Sequence, residues 1–441
     1  MKHKSAHQQT RRSDRTCLGR LSAGVSGIAG LALVVLAAAT VILPMLATKG
    51  TAQGNALRYT VFHTFSDADG DRLQGGLIRD GGGNLYGTTV AGGNGGDCIN
   101  YFGGGCGVVF KLDPSGNETV LYNFSGGADG AYPYAGLVRD AAGNLYGTTL
   151  YGGNTSSCVD GCGAVFKVDP AGNETVLHTF TGGGDGGAPY AGLILDGAGN
   201  LYGTTYGGGP YGDGTVFKLD PSGNETVLYG FTGGADGGVP YAGLILDPAG
   251  NLYGTTSEGG ILSYCFPGVF IPGCGVVFKL DPAGKETVLY KFTGGADGAS
   301  PVAALILDAA GNLYGTAGEG GNKTGLCYSE GCGVVFKLDP AGKETVLHEF
   351  IGKDGANPAG GLIRDSAGNL AGTTYNGGSY RSGVLFELDQ KDNETVLHQF
   401  GQPEDGANPS AGLLQDPAGN LYGTTVNGDD GSVVFKFKLN L

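Results

Sequence analysis

The sequence predicts an all-β protein, a seven-bladed β-propeller with four antiparallel strands in each blade. One motif recurs seven times, and each repeat holds four short segments that alternate apolar and polar residues or are rich in β-branched residues. The segments are joined by linkers with the composition of tight turns. Because the repeat has no helical stretch and is much longer than a solenoid rung, it fits a propeller blade.

The motif GNLYGTT defines the repeat. An Asp-Gly pair precedes each copy and a VFKL-type segment follows it, and nearly all variation in repeat length falls between GNLYGTT and VFKL. The copies, including the variants GNLYGTA and GNLAGTT, begin at Gly83, Gly143, Gly199, Gly250, Gly311, Gly368 and Gly419.

The third repeat illustrates the four predicted strands, which are residues 191–195, 200–205, 215–219 and 226–231. Comparison with other propellers places AGLILD innermost, GNLYGTT second, VFKLD third and ETVLHTF outermost.

The two ends of the repeat array are predicted to complete one blade. The array begins with an outermost-type strand, Tyr59 to Phe65, and ends just after a third-type strand, Val433 to Leu439. Pairing of these two strands would close the ring and remove the open sheet edges that promote aggregation.

Composition supports a folded, turn-rich chain. Glycine contributes 90 and proline 18 of the 441 residues, but the 22 tyrosines and 19 phenylalanines recur at fixed intervals, which argues against disorder. The glycines are therefore interpreted as turn residues.

The first 56 residues are predicted to be a signal peptide or an N-terminal membrane anchor, and residues 57–441 the propeller. A basic stretch precedes an uncharged apolar run from Leu21 to Thr48, and both cleavage and retention remain open. The protein is thus expected to be exported to the periplasm, the cell surface or the medium. Residues 57–441 carry 40 acidic and 19 basic side chains, which disfavours nucleic acid and leaves the N-terminal segment as the membrane contact. We expect a monomer.

Eight cysteines fall in pairs inside four variable loops, and three repeats lack both members. This pattern predicts local disulfides formed in an oxidising compartment, whereas a zinc site would need four converging ligands. The predicted pairs are Cys98 with Cys106, Cys158 with Cys162, Cys265 with Cys274, and Cys327 with Cys332.

Four histidines share one repeat position, where the other copies have tyrosine. Half-buried packing on outer strands explains this exchange, and it makes a Ser-His-Asp set, a Cys-His set or a His-rich metal site improbable. The histidines are His63, His178, His348 and His398.

The Asp-Gly pairs are expected on the same face as the variable loops. Their carboxylates either begin turns that glycine completes or form a ring that contacts a ligand, in which Asp129, Asp185 and Asp236 are the candidates. Weak Ca²⁺ binding, the one candidate cofactor, is best argued where Asp67, Asp69 and Asp71 cluster.

Tyr134, Tyr190 and Tyr241 each follow a proline just before an inner strand in three successive blades. They are predicted to line one arc of the channel mouth, either as a surface on which sugars stack or as mere packing. Because the variable loops over this face differ in length and four are cross-linked, any ligand is expected on this face.

The repeat resembles the GloVer tandem repeat of bacterial surface proteins whose membrane anchors differ from member to member, and the resemblance covers residues 58–441. It implies a surface location and brings no catalytic residue set. The function expected is a non-catalytic binding or scaffold module for glycan or protein ligands. The alternatives are a carbohydrate hydrolase or lyase that uses carboxylates of the ring, and a purely structural envelope protein.

Overall fold

A computed structural model describes residues 58–439 except 95, 97, 99–103, 266–271, 325–326, 328–329 and 429–430. The predicted signal or anchor segment, residues 1–56, lies outside the described residues. The regular secondary structure of the described residues consists of β-strands. No helix long and apolar enough to cross a membrane occurs among these residues.

Each blade contains four strands, numbered here from the channel outward. The inner strands have two residues each and are Ile78–Arg79, Val138–Arg139, Ile194–Leu195, Ile245–Leu246, Ile306–Leu307, Ile363–Arg364 and Leu414–Gln415. The second strands carry the LYGTT motif and are Leu85–Thr89, Leu145–Thr149, Leu201–Thr205, Leu252–Thr256, Leu313–Ala317, Leu370–Thr374 and Leu421–Thr424.

The third and outer strands complete the blades. The third strands are Val108–Leu112, Ala164–Val168, Thr215–Leu219, Val276–Leu280, Val334–Leu338, Val384–Leu388 and Val433–Phe437. The outer strands of blades 1 to 6 are Glu118–Asn123, Glu174–Thr179, Glu225–Gly230, Glu286–Lys291, Glu344–Glu349 and Glu394–Gln399. One further strand, Gly259–Tyr264, lies in the variable loop of blade 4.

The ring closes as the sequence predicts. The N-terminal strand Tyr59–Thr64 pairs antiparallel with Val433–Phe437 and so becomes the outer strand of blade 7. In each of the other six blades, the inner, second, third and outer strands lie side by side in the order in which they occur along the chain. The seven-bladed propeller with four antiparallel strands per blade is therefore confirmed.

The inner strands are shorter than predicted. In blade 3 the ladder covers Ile194–Leu195 rather than residues 191–195. The carbonyl of Ala191 instead accepts a hydrogen bond from the Thr148 hydroxyl of blade 2 at 3.0 Å. The backbone of Ala191, which was expected to pair within blade 3, therefore bonds to a side chain of blade 2.

The hydrophobic core is divided among the seven interfaces between blades. At each interface a buried phenylalanine just after one outer strand makes a close contact, edge-on or tilted, with the phenylalanine in the third strand of the next blade, at centroid distances of 4.7 to 5.2 Å. The pairs are Phe65 with Phe110, Phe124 with Phe166, Phe180 with Phe217, Phe231 with Phe278, Phe292 with Phe336, Phe350 with Phe386, and Phe400 with Phe435.

The glycine of LYGTT is required by this packing. A Cβ added at Gly147 would lie 2.6 Å from Cζ of Phe166 and 2.9 Å from Cδ2 of Leu137. The equivalent glycine of every blade meets its third-strand phenylalanine at 2.4 to 2.8 Å. This glycine, present in all seven copies of the motif, thus makes room for the aromatic pair.

Every outer strand contains a β-bulge that changes where its side chains point. In blade 1 the register shifts between Val109 and Phe110, leaving Leu121 as the extra residue. Leu121 and Tyr122 consequently both pack toward blade 2, whereas Val120 packs toward blade 7. The same shift occurs in the other blades, including the closing strand between Val61 and His63.

All four predicted disulfides are present, with Cα–Cα distances of 4.9 to 5.4 Å. Three of them pack against a glycine of the next crossover, which is the segment that connects an outer strand to the inner strand of the following blade. A Cβ added at that glycine would approach a disulfide sulfur to within 3 Å, as at Gly126 near Cys98. These three disulfides therefore fix their variable loops to the neighbouring crossover, and in the fourth Sγ of Cys327 lies 3.7 Å from the carbonyl oxygen of Phe350, just after its outer strand.

We expect Gly147→Ala to lower the free energy of unfolding by about 1–3 kcal/mol, because the new methyl group overpacks the contact with Phe166. Urea denaturation followed by tyrosine fluorescence measures this change. Gly197→Ala is the matched control, since a Cβ there meets nothing within 4 Å, and it should change stability by less than about 0.5 kcal/mol. Equal stability of the two variants would contradict the packing role of Gly147.

Candidate functional site

Each crossover, which leads from an outer strand to the channel, contains one residue with a strained backbone conformation. One non-glycine residue per crossover has a φ between 51° and 62°, in the left-handed region. Val239, for example, donates its N–H to Asp213 O and accepts from Ser257 N. Two backbone hydrogen bonds thus hold this kink, and they direct the Pro-Tyr pair that follows toward the channel mouth. The residues are Arg72, Tyr132, Ala188, Val239, Ser300, Asn357 and Asn408.

The three predicted tyrosines meet at the channel mouth. The ring centroids of Tyr134 and Tyr190 are 4.6 Å apart, and those of Tyr190 and Tyr241 are 4.9 Å apart. Tyr206, from the variable loop of blade 3, contacts Tyr241 at 4.9 Å and is 37% exposed. These four residues form one continuous aromatic surface, which we call the tyrosine cluster.

Burial keeps Tyr134, Tyr190 and Tyr241 uncharged. Burial raises the pKa of Tyr134 to about 12 and raises the pKa of Tyr190 and Tyr241 as well. The hydroxyls of Tyr134 and Tyr190 are hydrogen-bonded to each other, as are those of Tyr206 and Tyr241. The guanidinium of Arg72 lies near enough to favour the ionised form of Tyr134.

The remaining arc of the channel mouth is different. At the repeat position of Tyr134 the other blades have smaller or polar side chains, and the Ser410 hydroxyl donates to Oε1 of Gln74 at 2.8 Å. The mouth is therefore aromatic over blades 2 to 4 and mainly small or polar elsewhere. The residues of this second arc are Gln74, Val302, Ala359 and Ser410.

The Asp-Gly carboxylates are used within their own turns. Oδ2 of Asp129 accepts from the Ser125 N–H at 2.7 Å and from the Tyr122 hydroxyl at 3.0 Å, and Oδ1 accepts from the Ser125 hydroxyl. Thr181 and Thr232 make the corresponding contacts to Asp185 and Asp236. These aspartates lie at the beginning of their crossovers, and Tyr134, Tyr190 and Tyr241 lie at the end. A ligand role for the three aspartates stays a prediction.

The predicted calcium ligands Asp67, Asp69 and Asp71 face different partners. Asp69 accepts from the N–H and hydroxyl of Ser66, whereas Oδ1 of Asp71 accepts from the Arg72 N–H at 2.8 Å. Of these three aspartates, Asp69 is the one that groups with other metal-ligating side chains, and it lies beside His63 and Glu118.

A His-Asp-Glu or Tyr-Asp-Glu arrangement recurs between neighbouring outer strands. The outer-strand histidine or tyrosine of one blade meets the aspartate of the following crossover, and this aspartate faces the first glutamate of the next outer strand. Blade 7 has Tyr59 in the glutamate position, where it stacks on His398 at 3.9 Å.

These glutamates are hard to ionise. Burial, with a smaller contribution from the neighbouring aspartate, raises their pKa to about 7. Oε1 of each is buried and has no hydrogen-bond partner. The six residues are Glu118, Glu174, Glu225, Glu286, Glu344 and Glu394.

The opposite face is stabilised by a second set of aspartates. Asp80 accepts from the N–H and side-chain amide of Asn84 and from the Tyr86 hydroxyl, and the equivalent residues repeat the contacts to asparagine. Hydrogen bonds to the charged form lower the pKa of Asp80. These carboxylates close tight turns.

Sequence reasoning missed the glutamates of the outer strands and Tyr206. Glu118 is the first letter of ETVL in its repeat, and a signal was present in its constancy at six copies. Its proximity to His63 depends on the bulge at Phe62, which periodicity does not reveal. Tyr206 lies at the start of a variable loop, where no repeat position predicts a contact with Tyr241.

A family model described as the Gloeobacter/Verrucomicrobia repeat matches the chain at residues 49–271, 155–328 and 268–440. Together these segments extend over all seven repeats. The sequence has no significant match among curated proteins.

The chain is similar in fold to the extracellular domain of a one component system from B. thetaiotaomicron, with a TM-score of 0.54 and 11% identity. The alignment covers 86% of this chain and 39% of that chain, so this chain spans well under half of its neighbour's length. A gluconolactonase from Xanthomonas campestris has a TM-score of 0.39 and 15% identity, covering 68% of this chain and 83% of that one. A luciferin-regenerating enzyme has a TM-score of 0.39 and 13% identity, covering 69% and 91%.

Replacing one outer-strand glutamate tests the electrostatics of the blade junctions. A carboxyl whose pKa is raised from 4.5 to about 7 on folding stabilises the protein when protonated, and this contribution is lost as pH rises from about 4.5 to 7. Glu174→Gln should therefore raise the urea midpoint at pH 8 and leave it nearly unchanged at pH 4.5. A midpoint that falls at pH 8 would mean that the ionised Glu174 is favourable.

Proposed function

We propose a binding function for this chain, which belongs to the Gloeobacter/Verrucomicrobia repeat family. In this proposal it is an exported, non-catalytic propeller that takes its ligand on the variable-loop face. The observation that carries the proposal is the tyrosine cluster at one arc of the channel mouth.

Export is supported by the cysteine chemistry. Four disulfides bridge the described part of the chain, and such bonds form and persist in oxidising compartments. The propeller of B. thetaiotaomicron with the similar fold is itself an extracellular domain. Residues 1–56 would provide the signal or the membrane anchor.

The chemistry of the tyrosine cluster favours a glycan as the ligand. Tyrosine rings offer an apolar face together with a hydroxyl, which matches a sugar that has an apolar face and polar edges. Tyr206 and the half-buried Tyr190 and Tyr241 present ring surface at the mouth. The excess of acidic side chains would repel strongly anionic polymers, so a neutral or weakly charged glycan fits best.

The disulfide-bearing loops would lower the cost of binding. Loops of blades 1, 2, 4 and 5 are cross-linked and pack on the neighbouring crossovers. Walls that are ordered before the ligand arrives lose less conformational freedom when it binds. The same rigid face would serve a protein ligand, the alternative within this proposal.

A carbohydrate-cleaving enzyme is less well supported. Such an enzyme needs two carboxyl groups with different pKa values in one cleft. Six of the carboxyls with raised pKa are near-equivalent glutamates between successive outer strands. The others, Glu258, Glu319 and Glu387, belong to three different blades. This distribution around the ring favours structure or binding over catalysis.

A glycan array probed with the purified protein, with and without Ca²⁺, tests the proposal. We expect binding to a restricted set of glycans, and Tyr190→Ala or Tyr241→Ala should weaken it by about fivefold or more, if a sugar stacks on the ring with at least the about 1 kcal/mol of a nucleic-acid base. Tyr202→Ala is the control, because Tyr202 bonds Asp196 on the opposite face. Binding that survives both cluster variants but is lost in Tyr202→Ala would place the ligand on the wrong face for this proposal.

A further inference from the structure

The junction between the closing strand and blade 1 brings together an imidazole and two carboxylates. One ligand atom from each of His63, Asp69 and Glu118 lies within 4.8 Å of the others, and no other such trio occurs among the residues that the structure describes. The three side chains come from an outer strand, a crossover and the next outer strand. His63 and Asp69 are close in sequence, and the outer strand of blade 1 brings Glu118 to them where it packs beside the closing strand.

The histidine is oriented as a metal ligand would be. Nδ1 of His63 lies 3.1 Å from the carbonyl oxygen of Gly116, so this nitrogen carries the proton and donates it. Nε2 is then left with a free lone pair directed at the carboxylates, 4.0 Å from Oδ2 of Asp69. A backbone carbonyl that fixes the tautomer in this way is the usual outer partner of a metal-bound histidine.

Two atoms of the trio are buried without any hydrogen-bond partner, namely Nε2 of His63 and Oε1 of Glu118. Buried polar atoms are normally satisfied, so each such orphan needs an explanation. A bound cation would satisfy both at once and would neutralise the two carboxylates.

The convergence of three ligand atoms separates this junction from its relatives. In the junctions of His348 and His398, Nε2 lies 3.2 and 3.1 Å from the aspartate, which is a direct hydrogen bond. At the described junction of His178, Nε2 lies 3.7 Å from Oδ2 of Asp185 and also lacks a hydrogen-bond partner, but no group of three ligand atoms forms there. The 4.0 Å gap at His63 is too long for a direct hydrogen bond. A tetrahedral zinc ion with nitrogen and oxygen ligands at about 2.0–2.2 Å separates them by roughly 3.4 Å, so a small contraction suffices.

We propose that His63, Asp69 and Glu118 form a binding site for a divalent transition metal, with Zn²⁺ as the best-fitting ion and water completing the coordination. Imidazole suits Zn²⁺ better than Ca²⁺, which prefers six or more oxygen ligands. The ion ties the N-terminal closing strand to the outer strand of blade 1. This strand is held by hydrogen bonds to blade 7 on one side, and the ion holds it to blade 1 on the other. The site does not depend on the proposed glycan function.

Zinc binding by the full chain tests the proposal. The EDTA-treated, non-reduced protein is titrated with Zn²⁺ by calorimetry, and bound zinc is counted by mass spectrometry. His63→Tyr introduces the residue found at this position in blade 1 as Tyr122, and Glu118→Gln keeps the shape of the side chain. Each variant should lose one equivalent of zinc or bind it at least about tenfold more weakly.

Two matched variants serve as controls. His178→Tyr makes the same exchange at the junction of blades 2 and 3, and Glu174→Gln makes the other exchange at a junction that has tyrosine instead of histidine. Both should bind zinc as the unmodified chain does, and excess Ca²⁺ should not displace it. Thermal melting in EDTA shows whether each variant folds. Co²⁺ substitution adds a visible absorption band that depends on the nitrogen ligand and should vanish in His63→Tyr.

Three results would overturn the proposal. They are absence of zinc binding by the unmodified chain, equal zinc affinity in the unmodified chain, His63→Tyr and Glu118→Gln, and displacement of zinc by an equal concentration of Ca²⁺.

Discussion

The contact between two phenylalanines at each blade interface is the interaction on which the rest of this structure depends. Each pair joins the end of one outer strand to the third strand of the next blade, and all its rings are buried. Because no blade has a complete core of its own, a blade is stable only with both neighbours in place. The glycine of LYGTT and the bulge of the outer strand follow from this requirement, since one makes space for the ring and the other directs side chains to the next blade.

Closure makes the same demand on the two ends of the chain. The strand Tyr59–Thr64 supplies the ladder partner of Val433–Phe437, and Phe65 just after it supplies the aromatic partner of Phe110. The candidate metal site lies at this same place, because His63 is on the closing strand. The tyrosine cluster, in contrast, lies at the channel mouth over blades 2 to 4. The contacts that close the ring and the surface proposed to bind a ligand thus lie in different parts of the repeat.

Much of the fold could be predicted from the sequence, because the sequence contains seven copies of the repeat that forms one blade. The strand order, the closing strand and the disulfide pairs such as Cys98 with Cys106 all follow from repeat positions, and the structure confirms them. The length of the inner strands did not follow, since Ala191 bonds to a threonine of another blade. Periodicity within a repeat cannot reveal a partner that lies outside it.

The candidate sites show the same limit. The proline before Tyr134, Tyr190 and Tyr241 indicated the channel mouth, but their contact with one another and with Tyr206 depends on the kinked crossovers. The cluster of Asp67, Asp69 and Asp71 suggested calcium through sequence proximity alone. In the fold, Asp71 turns to Arg72, and Asp69 faces His63 and Glu118 instead.

Hydrogen exchange of the closing strand, followed by mass spectrometry, tests the central claim that the N-terminal strand completes the last blade. If it does, the amides of Tyr59–Thr64 exchange as slowly as those of the internal outer strand Glu174–Thr179, because both open only when the ring opens. Exchange of residues 59–64 within seconds, while residues 174–179 stay protected, would contradict the account.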